Sequence, residues 1–264
     1  MSYIKNNLEQ KTSISTLHSS NTMASTILLP GDPIPPELLP KSKKGTLTLG
    51  PHLRHLPPST LLSTSAGTLQ VDHKKAALWL EHSSNGRYLP AVNDLVIAQI
   101  HHSSTDTYHC SLTPHTPYAL LGQLAFEGAS KKTRPQLKSG DLVYARVSRV
   151  SKWDDTEIEC VNSNTGKGEG MGPLTGGMVF DVSAGFARRL MLGGKKGGVV
   201  VLDVVGEKVK FEVAVGRNGR VWVDSGSVRE TVAIGRLLVR ADEEGWEEER
   251  QRGEVKKALR EVVG

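Results

Sequence analysis

Lys131, Lys132 and Arg134 put three cations into four consecutive residues, directly ahead of Pro135. Cations at that density can engage successive phosphates of a nucleic-acid backbone and release its condensed counterions. A solvated surface loop has the same composition, so charge alone leaves both readings open. Arg146, Arg149 and Lys152 extend the basic stretch, although on alternating strand positions only some of them share a face. From Phe126 to Lys152 seven Lys or Arg stand against Glu127 and Asp141, a net charge of +5. From Ala241 onward eight acidic residues outnumber five basic ones. The chain is therefore polarised, with a basic middle and an acidic end.

A second candidate is Gly194-Lys195-Lys196-Gly197. A G-x-x-G loop after a helix can grip a nucleic-acid backbone, and Ala184–Leu192 ahead of it has helical spacing. A flexible Gly-Lys turn is the plainer reading. Tyr108, Tyr118 and Phe126 are candidates to stack on bases, each contact contributing roughly 1–3 kcal/mol, or else to fill a core. His101, His102, His109, Cys110 and His115 are the one cluster with metal-ligand chemistry, and their spacing matches no zinc pair. No metal and no cofactor is expected. Asp154, Asp155, Glu157 and Glu159 form an acidic run that reads as a turn and edge strand. Gly166-Lys167-Gly168 lacks the phosphate-loop pattern, and no catalytic triad order, H-E-x-x-H or nucleophile elbow occurs. Nothing in the residues argues for catalysis.

The element pattern is clearest at Phe211–Val223. Apolar residues alternate on both sides of Gly216-Arg217-Asn218-Gly219, and Asn-Gly between alternating segments is a strong hairpin signal. Gly216, Asn218 and Gly219 read as structural turn residues that tolerate positive φ. A two- or four-residue loop would place Phe211, Val213, Val215 and Trp222 on one face. Arg217 and Arg220 then lie at the turn with no anion nearby in sequence. They are either solvated or in contact with a polyanion or an acidic partner.

Five strand candidates precede it: Asp94–Ile100, Thr107–Leu112, Tyr118–Leu124, Asp141–Val150 and Glu157–Val161. Asp94-Leu95-Val96-Ile97-Ala98 echoes Asp141-Leu142-Val143-Tyr144-Ala145. Five short strands with one long connection, the basic segment from Phe126 to Gly140, suit an OB-type barrel. Further upstream, Thr46–Leu49, Thr60–Ser63 and Ala77–Leu80 read as strands. The five prolines between Pro30 and Pro40 read as an extended connector. Beyond the barrel, Met178–Val182 reads as a strand. Ala184–Leu192 reads as a helix facing inward through Phe186, Ala187 and Leu190. A last helix over Ser227–Val239 has Val228, Val232 and Leu238 as buried candidates, with Ser225 or Ser227 as its cap. The tail Asp242–Val263 reads as a weak surface helix. The 27 glycines fit a turn-rich, mainly β chain, and 38% hydrophobic residues with 5% aromatic ones suit several small cores within 264 residues. Two cysteines indicate no disulfide framework and hence a reducing compartment. No run approaches the roughly 18 apolar residues of a membrane span, and the first residues lack the apolar core of a secretory signal. No membrane association is expected.

These segments carry a family resemblance. Gly216-Arg217-Asn218-Gly219 followed by Val221-Trp222-Val223 resembles the KH domain of RNA exosome cap proteins. Phe126–Pro135 followed by Gly140–Ala145 resembles the S1 domain of one cap family, that of ribosomal RNA-processing protein 40. Gly170-Met171-Gly172 resembles the junction of its S1 and KH parts. Leu28–Asp32 and Leu49-Gly50-Pro51 resemble its amino-terminal domain. The resemblance runs from about residue 26 to about residue 240.

It implies a mainly β protein with α+β parts. Residues 1–25, rich in Ser, Thr and Asn and without periodicity, read as a disordered extension, and 26–82 would be an amino-terminal β-rich domain. An S1 (OB-fold) barrel at 83–165 and a KH-like α/β domain at 166–240 would follow, then a charged tail at 241–264. Met23 would be an alternative start, which mass spectrometry of the native amino terminus identifies. The implied role is a non-catalytic scaffold that caps the ring of RNase PH-like subunits beside other cap subunits. It would guide single-stranded RNA 3′ ends to nuclease subunits, in nucleus, nucleolus and cytoplasm. RNA contacts are expected at Lys131, Lys132, Arg134, Arg149, Lys152, Lys195 and Lys196. The alternative is a free-standing S1/KH RNA-binding or translation factor.

Overall fold

The computed structural model describes residues 26–40, 47–50, 52–73, 76–81, 88–114, 116–162 and 164–263. The expectations for residues 1–25, Met23, Thr46 and His115 lie outside the described residues. The chain divides into two compact units, split between Leu80 and Glu81.

In the first unit, β1 (Ile27–Leu28), β2 (Thr48–Leu49), β5 (Gly67–Asp72) and β6 (Ala77–Glu81) form a sheet in the order β1-β5-β6-β2. A separate hairpin pairs β3 (Leu53–Leu56) with β4 (Thr60–Ser63). Leu28, Ile34, Leu61, Leu69, Leu78 and Leu80 make its core. The proline-rich connector is not wholly extended. Pro36–Leu38 closes a single 3₁₀ turn, with Pro36 in the first helical position where its missing N–H costs nothing. The strands β1, β3 and β5 were absent from the sequence reading: β1 and β3 are too short to alternate, whereas β5 does alternate, through Leu69 and Val71, and was missed.

The second unit opens with the barrel. Its strands are β7 (Leu95–Ser103), β8 (Thr107–Ser111), β9 (Ala119–Phe126), β10 (Leu142–Arg149) and β11 (Glu157–Cys160). All five were expected, each within a few residues. β11 closes the barrel, pairing parallel with β9 and antiparallel with β10. The echoed segments are antiparallel neighbours, Val143 opposite Ala98 and Ala145 opposite Val96. Alternation sends Val96, Ala98, Ile100, Val143, Ala145 and Val147 into the barrel core. It sends Ile97, Leu142 and Tyr144 outward. A sixth strand, β12 (Gly172–Leu174), adds to the free edge of β10 at the Gly170–Gly172 junction.

The rest is an α/β layer. β13 (Met178–Asp181), β14 (Phe211–Val215) and β15 (Arg220–Ser225) form an antiparallel sheet in the order β13-β15-β14. It packs on α1 (Ala184–Met191), α3 (Val201–Gly206), α4 (Val228–Glu243) and α5 (Glu248–Val263), with a helical turn α2 (Gly194–Gly197) between α1 and α3. Ser183 caps α1 by accepting from the Phe186 N–H at 3.1 Å. Asp242, near the end of α4, accepts from the Ser183 hydroxyl at 2.6 Å and so ties the two helices together.

Three expectations need correction. The first is the hairpin register. Gly216 N–H donates to the Arg220 carbonyl and Gly219 N–H to that of Gly216, so the loop holds three residues, 217–219. Gly219 sits at φ +78°, as a type I turn with a left-handed third loop residue requires. An odd loop shifts the pairing by one residue, and a one-residue shift reverses faces. Trp222 therefore lies opposite Ala214, away from Phe211, Val213 and Val215. The second is α4. Leu238 is buried, whereas Val228 is 75% exposed and Val232 only half-buried. Ser227 holds the cap position without a side-chain capping bond. The third is the tail, where the expected helix forms as α5 but packs one face inward. Val255, Leu259 and Trp246 join the main core. Gln251, 1% exposed, accepts from Val200 N–H at 2.8 Å and donates to the carbonyls of Gly198 and Trp246.

Candidate nucleic-acid interface

The connection from Phe126 to Leu142 carries Lys131, Lys132, Arg134 and Lys138 and is locally ordered. The Ser130 N–H donates to the Thr133 hydroxyl oxygen (3.0 Å), the Thr133 hydroxyl donates to the Gly128 carbonyl (3.2 Å), and Arg134 N–H donates to the Ser130 carbonyl (2.9 Å). This clasp makes one turn whose crest is Lys131-Lys132. Both lysines are exposed, and neither forms an ion pair with a described residue. The far end is pinned to the barrel. The Tyr108 hydroxyl, from a ring in the barrel core, donates to the Pro135 carbonyl at 2.8 Å. Arg134 is half-buried, and its Nη1 donates to Gln123 Oε1.

The other expected RNA contacts are differently placed. Arg149 is ion-paired with Asp154 (3.0 Å) and Glu157 (3.1 Å). Arg146, flanking them, pairs with Glu159 at 3.0 Å with both side chains largely buried. The acidic run is thus partly neutralised by the strand arginines. Lys152 lies over the ring of Trp153 at 5.1 Å, and that indole is 86% exposed. Lys195 and Lys196 belong to α2, and their side chains lie outside the described residues. The glycines around them serve close packing. A Cβ on Gly197 would stand 1.9 Å from the Arg189 carbonyl oxygen, and one on Gly194 would stand 2.1 Å from an Asp203 carboxylate oxygen.

The aromatic candidates separate cleanly. Tyr108 and Phe126 are core residues, while Tyr118 is 39% exposed and faces the His101 ring at 4.6 Å. His102 and His109 stack at 4.2 Å. Desolvation, with the neighbouring His109 and His101, holds the His102 imidazole below its ordinary value. Cys110 points into the barrel, where burial pushes its thiol up to about 12. Among the described residues, no group of three His, Cys, Asp or Glu is placed to hold a metal ion.

The Gly216–Gly219 turn is a joint between barrel and α/β layer. The buried Asn218 amide donates to the carbonyls of Ile97 (2.9 Å) and Leu112 (2.7 Å), and its oxygen accepts from the Ile97 N–H (3.3 Å). It thereby serves strand groups left free by a barrel edge. Arg217 N–H donates to the Leu95 carbonyl at 2.7 Å, and its guanidinium lies 3.6 Å from Asp94. Arg220, 9% exposed, donates to the Ser111 carbonyl and faces Asp181 at 3.8 Å. Both arginines thus have internal anions and acceptors, supplied by distant segments. Beneath them Ile97, Ala214 and Trp222 form a small core with Leu142, Tyr144, Leu174 and Val179. Asn218 does not take positive φ; its amide, not its backbone, is what the turn needs.

Two residues escaped the sequence reading. Trp153 was visible as a lone large aromatic in the polar run Ser151–Asp155. Gln123 was visible as a polar residue in the inward phase of β9, followed by Leu124 in the outward phase.

Three family models match. Those described as "Exosome complex exonuclease Rrp40 N-terminal domain", "Exosome complex component RRP40, S1 domain" and "KH domain" cover residues 47–85, 88–172 and 177–229. The chain is 37% identical to the exosome complex component RRP40 of Saccharomyces cerevisiae, covering 81% of this chain and 88% of that protein. It is 37% identical to RRP40 of Drosophila melanogaster, covering 85% and 92%. It is 28% identical to the exosome complex component Rrp4 of Thermoplasma volcanium, covering 79% of each. With a barrel, a junction strand and an α/β layer in the order those models require, the chain belongs to the RRP40 family of exosome complex components.

Proposed function

We propose that this chain is a non-catalytic RNA-binding cap subunit of an exosome. It would stabilise a ring of RNase PH-like subunits beside the other cap subunits and guide single-stranded 3′ ends to nuclease subunits. The processes served would be ribosomal RNA processing and RNA decay. The observation that carries the reading is the Ser130–Arg134 turn, which holds Lys131 and Lys132 out to solvent with no ion pair to a described residue. The neighbouring arginines of β10 are committed to Glu157, Glu159 and Asp154. Unpaired cations on a braced turn bind a polyanion without first breaking an ion pair. Lys152 with Trp153, and Lys195 and Lys196, are further proposed contacts. Nucleus, nucleolus and cytoplasm are the proposed locations, read by imaging the tagged chain.

Affinity purification from the cells that make the protein tests the assignment. Stoichiometric RNase PH-like partners support it, and a chain recovered alone would point to a free RNA-binding factor. A second reading, cleavage of RNA by this chain itself, draws only on the word exonuclease in the description of the amino-terminal family. Purified chain incubated with labelled single-stranded RNA, Mg²⁺ and phosphate should leave the RNA intact; shortening that scales with the chain would establish the second reading.

A further inference from the structure

Beside the braced turn lies a cavity of about 250 Å³. It is slightly smaller than pockets that enclose drug-sized ligands, roughly 300–1,000 Å³, and so admits one small unit of a longer ligand. Its wall offers three chemistries. Lys131 and Arg134 supply positive charge, and Asp106 supplies an exposed carboxylate. Leu124, 51% exposed although apolar, supplies a hydrophobic surface with Ala125. Phosphate, sugar hydroxyl and base of a nucleotide call for those three features.

The arrangement is held by a buried residue. Gln123, 5% exposed, donates through Nε2 to the Ser104 carbonyl (2.9 Å) and the Ser103 hydroxyl (3.2 Å). Its backbone N–H donates to the Asp106 carbonyl at 3.0 Å. With the amide nitrogen occupied, Oε1 is left to accept from Arg134. A guanidinium carries five N–H donors, so one bond fixes its direction and leaves the others for a ligand. Gln123 thus links the cationic side of the cavity to the β7–β8 turn that carries Asp106.

We infer that this cavity is a subsite for one ribonucleotide of a single strand. Lys131 and Arg134 hold the phosphate, Asp106 accepts from the ribose 2′-hydroxyl, and the base lies on Leu124. Gln123 is the positioning residue for Arg134. The inference rests on the RNA-binding reading above and adds a preference for RNA over DNA, because the 2′-hydroxyl is the group that separates the two.

The test uses the full chain with oligo(A) and oligo(dA) of equal length, at low salt and across a salt series. The wild type should prefer RNA. Asp106→Asn, at an exposed position, keeps an acceptor oxygen but removes its charge, so the bond to the 2′-hydroxyl falls from charge-assisted to neutral strength and RNA affinity should drop several-fold. The substitution should leave DNA affinity unchanged or raised. Gln123→Leu should weaken both ligands and make the salt slope shallower by up to about 0.7, one phosphate contact on a single strand. A purely structural Gln123 would lower the melting temperature without moving that slope. Equal affinity of the wild type for RNA and DNA, or an unchanged preference in Asp106→Asn, overturns the subsite. Failure of the wild type to bind either oligonucleotide overturns the RNA-binding reading itself. If Gln123→Leu does not fold, Asp106→Asn alone decides.

Discussion

Asn218 shows how much one side chain contributes when its partners are backbone groups of another layer. Replacing it with Ala leaves the Ile97 N–H and the carbonyls of Ile97 and Leu112 without their amide partner. Each buried group so orphaned costs roughly 1–3 kcal/mol. Asn218→Ala should therefore lose on the order of 3 kcal/mol in chemical denaturation. A loss within about 0.5 kcal/mol, the range of ordinary surface changes, would contradict the role. Gly219→Val should be harsher, since φ is +78° and a Cβ there would stand 2.5 Å from the Val182 carbonyl oxygen. A second residue-scale prediction concerns Cys110 and Cys160. Burial raises both thiols above the ordinary cysteine value, and the thiolate is the reactive form. Alkylation of the native protein near neutral pH should label neither, and denaturation should expose both. Rapid native labelling would show that the barrel opens. The sequence made the Asn-Gly turn legible, but not its purpose: Ile97 lies 121 residues away, and no local pattern encodes such a partner.

At the scale of elements, the barrel strands were legible because each is a short alternating or apolar run bounded by turn residues. The hairpin register was not, because loops of three and four residues look alike in Gly-Arg-Asn-Gly, and only the pairing decides which face Trp222 takes. The last helix was misjudged for a related reason. Its apolar residues are few among many charges, yet Trp246, Val255 and Leu259 converge on one core with Gln251 beneath them. Deleting residues 248–264 should thus destabilise the whole α/β layer, exposing it to limited proteolysis. A truncated chain with unchanged protease resistance and melting would contradict this. The β7–β8 pair carries a pH prediction. The His102 value is held below 6.5 in the folded chain, so folding favours the neutral ring. That contribution is complete above pH 6.5 and is lost as pH falls through the lower, folded value. NMR titration should give a midpoint below 6.5 for His102; a midpoint above it would mean that the stacked rings do not govern its titration.

Across the whole molecule, charge was readable as a total but not as a distribution of free and committed groups. The basic middle holds seven cations. Of these, Arg146 and Arg149 are bound to carboxylates and Arg134 to Gln123, whereas Lys131 and Lys132 stand free of ion pairs with any described residue. Arg134 supports its own loop, so changing it together with the lysines would confound charge with structure. The informative variant is the pair Lys131→Ala and Lys132→Ala, at exposed positions where the fold should tolerate the change.

The central claim is electrostatic capture of RNA at this turn within an exosome assembly. It is tested most directly by reconstituting that assembly with the double variant and measuring single-stranded RNA binding across a salt series. The account predicts a salt slope shallower by up to about 0.7 for each lysine lost, with a shorter length of RNA protected from nuclease. A slope and a protected length equal to those of the wild-type assembly would contradict it and turn attention to Lys195 and Lys196.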